Sequence, residues 1–347
     1  MFCLAANFHP SSTHPIMPRS IILGTGSFLP ERVVTNEDLS KVMDTSDEWI
    51  RQRTGIQSRH WVTEGTTQTS LALEASRRAL AMAKLDAKQL EAIVYATSTP
   101  DHFAPGNGVY LQQALGADTI PAMDIRNQCS GFIYALSVAD AWIQVGLYRH
   151  VLVVGAEIQS TSMDLSTAGR NVSVIFADGA AAMVLGPTDD PKRGILGFDL
   201  HSEGKHAELL WVDAPGSMYH PRVSKELIDR GQHWLQMDGK EVFKHAVTRM
   251  PESVLAVLAK AGATLPEMKL LVPHQANLRI SEMIQKRLEL RDDQVVNNIQ
   301  TCGNTTAATI PLALDEVVRA GRLTAGDLVV FTAFGSGFAW GSCALRW

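Results

Sequence analysis

Asp124-Ile-Arg-Asn-Gln-Cys129-Ser-Gly131 opens a pattern that this chain uses twice. An apolar run of helical length follows this stretch and stops at Gly146. Asn297-Asn-Ile-Gln-Thr-Cys-Gly-Asn304-Thr-Thr306 opens the second copy, whose apolar run stops at Gly321. The cysteine lies seventeen residues before Gly146, and the asparagine lies seventeen residues before Gly321. The repeat predicts two similar halves related by a pseudo-twofold axis, with two helix N-termini meeting in the middle, one presenting a thiol and the other an amide.

The rest of the chain alternates short apolar runs with segments of helical period, which is typical of α/β layers with buried strands. A turn-like run at 186–194 (GPTDDPKRG) separates the copies. We therefore predict an N-terminal tail at 1–19, an N-terminal half at 20–190 and a C-terminal half at 191–347. The expected strands lie at 92–96, 150–154, 269–272 and 327–331, and the expected helices lie at 69–84 and 253–261. Two irregular insertions, at 30–64 and 201–240, are of the kind that forms lids or binding loops.

Composition excludes several classes of protein. The 347 residues carry a net charge of -5, which argues against bulk nucleic-acid binding. The four cysteines are widely spaced, so neither a disulfide framework nor a zinc site is predicted. No apolar run approaches the roughly 18 residues that a membrane span needs, and the start of the chain does not have the pattern of a secretory signal. We expect a cytoplasmic protein that binds no membrane.

Three residues at predicted strand ends could form a catalytic site. Cys129 lies at a strand-to-helix junction, where backbone N–H groups and the helix dipole are expected to lower the pKa of a thiol. His274 follows the strand at 269–272, at the edge where open α/β sheets hold their sites. Taken singly, each has a plain structural interpretation: Cys129 as a buried core residue, His274 as a hydrogen-bonded one, Asn304 as a helix cap or turn residue. Together they offer a nucleophile and two hydrogen-bonding groups.

Longer motifs along the chain carry a family resemblance. They are Thr45-Ser-Asp-Glu-Trp-Ile50 with Arg53-Thr-Gly-Ile56, Gly24-Thr-Gly-Ser-Phe-Leu-Pro-Glu31, Cys129-Ser-Gly-Phe132, Glu241-Val-Phe-Lys244, Val272-Pro-His-Gln-Ala-Asn-Leu-Arg-Ile280, Gly303-Asn-Thr-Thr306 and Gly335-Ser-Gly-Phe-Ala-Trp-Gly-Ser342. With these motifs the chain resembles the β-ketoacyl-acyl-carrier-protein synthases III of the thiolase superfamily from residue 21 to its end. The motif pair at 45–56 and the motif at 272–280 are highly specific. The resemblance implies an α/β fold of thiolase-like duplicated halves in a layered α-β-α-β-α arrangement.

The resemblance also implies a mechanism. Cys129 takes an acyl group from acyl-CoA, which is a substrate, and malonyl-acyl carrier protein then enters. His274 and Asn304 hydrogen-bond the malonyl thioester carbonyl while CO₂ leaves, and the carbanion attacks the acyl-cysteine. The N–H groups of Cys129 and Ser336 form the oxyanion hole. No metal ion or redox cofactor is implied.

The same resemblance assigns the binding residues. It places CoA on Trp49, Arg53, Arg170 and Gly239, with aromatic stacking and guanidinium–phosphate contacts as the physical basis. It also implies a homodimer. The acidic carrier protein is expected on a basic face, although a run of charges is usually only a solvated surface; that face comprises Lys244, Arg279, Lys286 and Arg287.

Two segments depart from the family pattern. Arg126-Asn127-Gln128 precedes the nucleophile where relatives have small apolar residues, and 100–108 differs from acetyl-selective relatives. In the family this second segment reaches over from the partner subunit and helps set pocket depth. With Phe103 as the gate, Gly106 and Gly108 are expected to leave room in the acyl pocket, which predicts a primer longer than acetyl.

Alternative functions stay open at this point. A thiolase would need a second catalytic cysteine in the Gly335-Ser-Gly337 loop, and the nearest, Cys343, falls in a predicted strand. A condensing enzyme of secondary metabolism, of the alkylquinolone or type III polyketide kind, would also use Cys, His and Asn, with longer acyl-CoA primers or malonyl-CoA. A non-catalytic binding scaffold is disfavoured because all three catalytic residues are present.

Overall fold

Two mixed β-sheets form the frame of the protein, as a computed structural model of residues 18–347 shows. Residues 1–17 of the expected tail lie outside the described part, and the first strand already begins at Arg19. The strands are β1 (Arg19–Phe28), β2 (Val33–Thr35), β3 (Ser58–His60), β4 (Ala92–Ala96), β5 (Ala122–Ile125), β6 (Val151–Ile158), β7 (Asp178–Thr188), β8 (Gly194–Ser202), β9 (Leu210–Trp211), β10 (Gln236–Met237), β11 (Met268–Pro273), β12 (Leu328–Gly335) and β13 (Ala339–Arg346).

The two large sheets repeat one strand order. The first runs β5-β4-β6-β7-β1, with β4 parallel to both of its neighbours and β7 antiparallel to β6 and β1. The second runs β11-β12-β13-β8, with one parallel pair followed by two antiparallel pairs. A parallel bridge from Leu271 to Val295 occupies the place that β5 has in the first sheet. The division at residues 190 and 191, which stays a prediction, falls in the turn between β7 and β8.

The helices form three layers around these sheets. They are α1 (Asn36–Ser40), α2 (Asp47–Thr54), α3 (Gln68–Ala83), α4 (Asn107–Leu115), α5 (Gly131–Gln144), α6 (Arg170–Ser173), α7 (Lys225–Asp229), α8 (Gly239–Lys260), α9 (Leu278–Arg287), α10 (Ile299–Cys302) and α11 (Thr309–Arg319). Side chains of α5 and α11 share one apolar core with both sheets, whereas α3 covers the outer face of the first sheet and α8 that of the second. The layered α-β-α-β-α prediction is confirmed.

The expected insertions contain short elements that sequence periodicity did not reveal. Residues 30–64 hold β2, α1, α2 and β3, and their apolar side chains pack with those of 163–176 and Ile299 into a separate core around Ile50 and Ile56. Residues 201–240 hold β9, α7 and β10. The helix expected at 253–261 is the end of α8, which begins fourteen residues earlier at Gly239 and contains Pro251. These insertions lie where binding residues are expected.

The carboxylate of Asp124 caps the start of α4. Gly106 provides no side-chain cap for this helix, and Asp124 instead accepts the N–H groups of Asn107 at 2.6 Å and Gly108 at 2.8 Å. Helix N-termini leave such donors unsatisfied unless an acceptor reaches them. A residue of β5 therefore fixes the end of the segment at 100–108.

We expect Asp124→Ala to lower the free energy of unfolding by about 1 kcal/mol, the usual cost of losing a helix cap. Chemical denaturation at one fixed protein concentration measures the change. Asp118→Ala is the matched control, because Asp118 is exposed in the turn after α4 and its side chain makes no hydrogen bond within residues 18–347. Equal stability of the two variants would contradict the capping role.

Candidate active site

Cys129 lies in the tight turn between β5 and α5. This turn spans Gln128–Ser130, and α5 then begins at Gly131 without a side-chain cap. The end of β12 presses against it: a Cβ added to Gly335 would lie 2.6 Å from the Cβ of Cys129. Only glycine permits this approach, so the second sheet covers the thiol and leaves Cys129 8% exposed.

The backbone N–H groups of Cys129 and Ser336 are close enough to the thiol sulfur to favour its thiolate form, which lowers the pKa of Cys129. This is the pair of donors that the sequence predicts for an oxyanion hole. Burial nevertheless raises the pKa of the Cys129 thiol to about 12, and the negative charge of Glu157 adds to the increase. The expected lowering of this pKa was wrong, because removing the thiolate from water outweighs the two N–H groups.

Glu157 is a buried carboxylate that the sequence analysis missed. It is the next-to-last residue of β6, which is buried along its whole length, and its Oε2 accepts the hydroxyls of Thr99 at 2.6 Å and Ser98 at 2.9 Å. Burial raises the pKa of this carboxylate to about 7, although these hydroxyls and the N–H of Ala307 favour its charged form. An acidic residue directly after a run of buried strand residues was the signal that could have revealed it.

His274 follows β11 and is fixed at both its backbone and its ring. Its N–H donates to the carbonyl of Thr332 in β12 at 2.8 Å, and its Nδ1 lies 2.7 Å from the hydroxyl of Thr309. Burial lowers the pKa of His274 to about 3, so the ring is neutral at physiological pH. Within residues 18–347 its buried Nε2 has no hydrogen-bond partner.

Asn304 is held by the segment that leads into β7, through an isolated parallel bridge to Phe176. Its N–H donates to the carbonyl of Ile175 at 3.0 Å, and its carbonyl accepts the N–H of Ala177 at 2.9 Å. Its side-chain Oδ1 accepts the N–H of Thr306 at 2.8 Å. Because the oxygen is engaged, the amide orientation is fixed and the Nδ2 group is the side that can donate to another molecule.

Thr309 and Thr306 lie between His274 and Asn304. The Thr309 hydroxyl is within hydrogen-bonding distance of two groups, the His274 ring and the Thr306 carbonyl at 3.0 Å, and the N–H of Thr306 donates to Asn304. The turn at 306–308 also packs against the Cys129 turn. The predicted nucleophile and the two predicted hydrogen-bonding side chains therefore surround one buried site at the starts of α5 and α11.

The loop that contains Ser336 is tied to the insertion at 201–240. The Ser336 hydroxyl donates to the carbonyl of Leu210, and the N–H of Glu203 donates to the carbonyl of Phe338 at 2.8 Å. Within the described residues, Glu203 belongs to the one cluster with metal-ligand spacing, together with His206 and His245. Both carboxylate oxygens of Glu203 already pair with cations, at 3.0 Å from Arg249 and 2.6 Å from Lys205. These ion pairs compete with any metal ion for that carboxylate.

Trp49, Arg53 and Arg170 form one cluster at the surface. The guanidinium carbon of Arg53 lies 4.6 Å from the centroid of the Trp49 ring, and that of Arg170 lies 5.1 Å from it. Gly239, which begins α8, neighbours Met237, and Met237 and Trp49 pack against the same apolar core. Three of the four predicted CoA residues are thus adjacent, and the fourth is linked to them through this core.

Helix α2 docks on the start of α9. The side-chain amide of Asn277 donates to the carbonyl of Arg53 at 2.9 Å. Gly55 ends α2 with a φ of 79°, and a Cβ there would lie 2.5 Å from Leu278. The two most specific sequence motifs are therefore parts of one contact.

The predicted basic residues lie on the neighbouring helices α8 and α9. Arg279 lies over the ring of Phe243 at 5.7 Å, and Arg287 lies 3.5 Å from the hydroxyl of Thr248. Lys286 is exposed, and seven residues after Arg279 it shares the same side of α9. Lys244 is also exposed and pairs with Glu241 at 3.3 Å. The four cations form one exposed face.

The structure gives the glycines near the predicted gate a different role. A Cβ at Gly106 would lie 2.5 Å from the carboxyl carbon of Asp124, and one at Gly108 would lie 2.9 Å from its Oδ1. The capping carboxylate fills the space that a side chain would need at both positions. That Gly106 and Gly108 leave room in an acyl pocket stays a prediction. Phe103 is 67% exposed, with the guanidinium of Arg222 at 3.8 Å from its ring.

We expect Cys129 to react slowly with iodoacetamide at pH 7 and faster with each further unit of pH, without a plateau below about pH 10. The thiolate is the reactive form, and burial raises the pKa of this thiol to about 12. Peptide mapping by mass spectrometry follows the residue, with Cys129→Ser as the control for assignment. A plateau near pH 8 would show that the N–H groups outweigh burial.

Comparisons with known proteins complete the description of the site. Residues 123–204 match the family model "3-Oxoacyl-[acyl-carrier-protein (ACP)] synthase III", and residues 258–347 match its "C terminal" counterpart. The chain is 46% identical over 328 residues to the "Beta-ketoacyl-[acyl-carrier-protein] synthase III" of Xanthomonas axonopodis pv. citri, covering 94% of this chain and 98% of that protein. It is 41% identical to the crystal structure of 3-oxoacyl-[acyl-carrier-protein] synthase III from Aquifex aeolicus VF5, with a TM-score of 0.87 and coverage of 94% and 100%. The priming β-ketosynthase of the R1128 polyketide pathway is 34% identical, with a TM-score of 0.87 and coverage of 97% and 98%.

No helix within residues 18–347 has the length and apolar character to cross a bilayer. By its family-model matches and the relatives that it covers almost completely, the chain belongs to the β-ketoacyl-acyl-carrier-protein synthase III family.

Proposed function

We propose that the chain is an acyltransferase that condenses an acyl-CoA primer with malonyl-acyl carrier protein, releasing CO₂ and giving a β-ketoacyl-carrier protein that initiates fatty-acid synthesis. The observation that carries the proposal is the arrangement at the starts of α5 and α11. A buried thiol whose thiolate form is favoured by two backbone N–H groups lies there. Beside it are a histidine whose buried Nε2 has no hydrogen-bond partner within residues 18–347 and an asparagine whose Oδ1 is already engaged.

In the first half-reaction the sulfur of Cys129 attacks the acyl carbonyl of acyl-CoA. The tetrahedral intermediate places a negative charge on the carbonyl oxygen, which the N–H groups of Cys129 and Ser336 stabilise. The C–S bond to CoA then breaks, and the proton lost by Cys129 is taken up by the CoA sulfur. Because the thiol is neutral at rest, this proton must leave as the sulfur attacks.

In the second half-reaction the malonyl thioester loses CO₂, and the electrons of the broken C–C bond move toward the thioester oxygen. His274 and Asn304 donate hydrogen bonds to that oxygen. Fixed neutral donors in a buried site stabilise the enolate without solvent reorganisation. The carbanion attacks the acyl group on Cys129, and the sulfur leaves as a thiolate that takes up one proton from solvent.

The CoA nucleotide is proposed to bind at Trp49, Arg53 and Arg170, with Gly239 beside the pantetheine arm. An aromatic ring flanked by two guanidinium groups offers a stacking surface and bidentate phosphate donors. This cluster lies at the contact between α2 and α9, so nucleotide binding and the basic face are adjacent. No metal ion or redox cofactor is needed for the proposed steps.

The carrier protein is proposed to dock on the basic face formed by Lys244, Arg279, Lys286 and Arg287. We further propose a cytoplasmic homodimer that joins along β5. This strand is an edge of the first sheet, and its Met123 and Val109 of the neighbouring α4 are each 43% exposed. Exposed apolar side chains along an open edge favour burial against a partner.

The chain length of the acyl primer stays a prediction. The expectation of a primer longer than acetyl depends on the segment at 100–108, and the positions of Gly106 and Gly108 do not add support for it. Secondary metabolism is the alternative pathway. For a thiolase, Cys343 would have to reach the site, but it is fully buried within β13 and opposes Phe331 of β12.

We expect Cys129→Ala to abolish self-acylation by acyl-CoA. His274→Ala and Asn304→Ala should still self-acylate but lose malonyl decarboxylation by roughly 10² to 10³-fold, the usual effect of removing one oxyanion donor. Intact-protein mass spectrometry measures acylation, and CO₂ release from malonyl-carrier protein measures decarboxylation. Cys302→Ala is the matched control, because this buried cysteine lies in α10, and an acyl group mapped to Cys302 would overturn the assignment of the nucleophile.

We expect Arg279→Glu or Lys286→Glu to weaken turnover with carrier-bound malonate, while acylation from CoA changes little. A reversed charge repels an acidic partner, and high salt should weaken the wild type in the same way. Steady-state kinetics with varied carrier protein measures the effect. Lys88→Glu, an equivalent reversal in the N-terminal half, is the control, and an equal loss in that variant would mean that net charge alone matters.

A further inference from the structure

His274 can act as a donor only if its outer nitrogen carries the proton. Its Nε2 is buried and without a partner in residues 18–347, whereas its Nδ1 faces the hydroxyl of Thr309 at 2.7 Å. Burial lowers the pKa of this histidine to about 3, so the neutral ring holds one proton. The group that hydrogen-bonds to Nδ1 therefore decides whether Nε2 is a donor or an acceptor.

We propose that Thr309 is a positioning residue whose hydroxyl donates to Nδ1 of His274 and thereby keeps the proton on Nε2. This inference rests on the proposed role of His274 as a donor to the malonyl thioester. The hydroxyl is the group within hydrogen-bonding distance of Nδ1 in residues 18–347, and Thr309 is itself buried. Thr309 begins α11, directly after the turn that supplies Asn304. The same part of the second repeat therefore also decides which ring nitrogen of His274 carries the proton.

The Thr309 hydroxyl has a competing acceptor. The carbonyl of Thr306 lies 3.0 Å from Thr309 Oγ1, but this carbonyl already accepts the backbone N–H of Thr309. The distance to His274 Nδ1 is shorter by 0.3 Å, the difference between 3.0 and 2.7 Å. Donation to the imidazole therefore satisfies a buried acceptor that has no other donor, whereas donation to Thr306 duplicates an existing bond.

The test compares Thr309→Val, which has nearly the same shape without the hydroxyl, with Thr309→Ser, which retains it. We expect Thr309→Val to decarboxylate malonyl-carrier protein about 5- to 30-fold more slowly, as the loss of one hydrogen bond predicts. This loss should fall on kcat rather than KM, self-acylation by acyl-CoA should change little, and Thr309→Ser should restore the rate. Unchanged decarboxylation in Thr309→Val would overturn the inference.

Nitrogen NMR of the wild-type protein with ¹⁵N-labelled histidine tests the same inference without a substitution. We expect a protonated Nε2 and an unprotonated Nδ1 for His274, with the signal assigned by its loss in His274→Ala. The opposite tautomer would overturn the inference and would make Nε2 an acceptor. His274→Ala also separates the two hypotheses: if that variant decarboxylates normally, the proposed function fails, whereas loss in His274→Ala with none in Thr309→Val refutes only the role of Thr309.

Discussion

The active site depends on a close approach between backbone segments of the two sheets. A Cβ at Gly155 in β6 would lie 2.6 Å from the carbonyl oxygen of Ala307, and one at Gly335 in β12 would lie 2.6 Å from the Cβ of Cys129. In each contact a strand of one sheet meets the turn that starts the central helix of the other half. Because protein interiors are densely packed, even one methyl group at either glycine would push these segments apart.

Burial sets the protonation of every ionisable group at this contact. It raises the pKa of Cys129 to about 12, lowers that of His274 to about 3 and raises that of Glu157 to about 7. The first two groups are consequently neutral at rest. On Cys129 and His274 charge therefore arises only when a substrate reacts, and fixed dipoles are already oriented where it develops, which is the condition for strong electrostatic stabilisation.

The repeat explains how one chain supplies different chemical groups at equivalent places. Both central helices, α5 and α11, begin without a side-chain cap, although most of the longer helices have one. One of these starts holds the thiol of Cys129, and the other holds the amide of Asn304 together with the hydroxyl of Thr309. The two similar halves could therefore diverge in their side chains while the paired frame stayed the same.

The sequence by itself determined the α/β layers, the repeat and the strand ends near which Cys129 and His274 lie, because these depend on local periodicity and on comparing one half with the other. The expectation that Asn304 also lies at a strand end was wrong, because the short helix α10 precedes it. Tertiary structure alone decided the direction of the Cys129 pKa, since burial by Gly335 is a contact across 206 positions of the chain. It also decided that Gly106 and Gly108 receive the Asp124 carboxylate, and that Thr309, 35 positions from His274, reaches its ring. Such contacts arise only when distant segments pack together, so no local pattern encodes them.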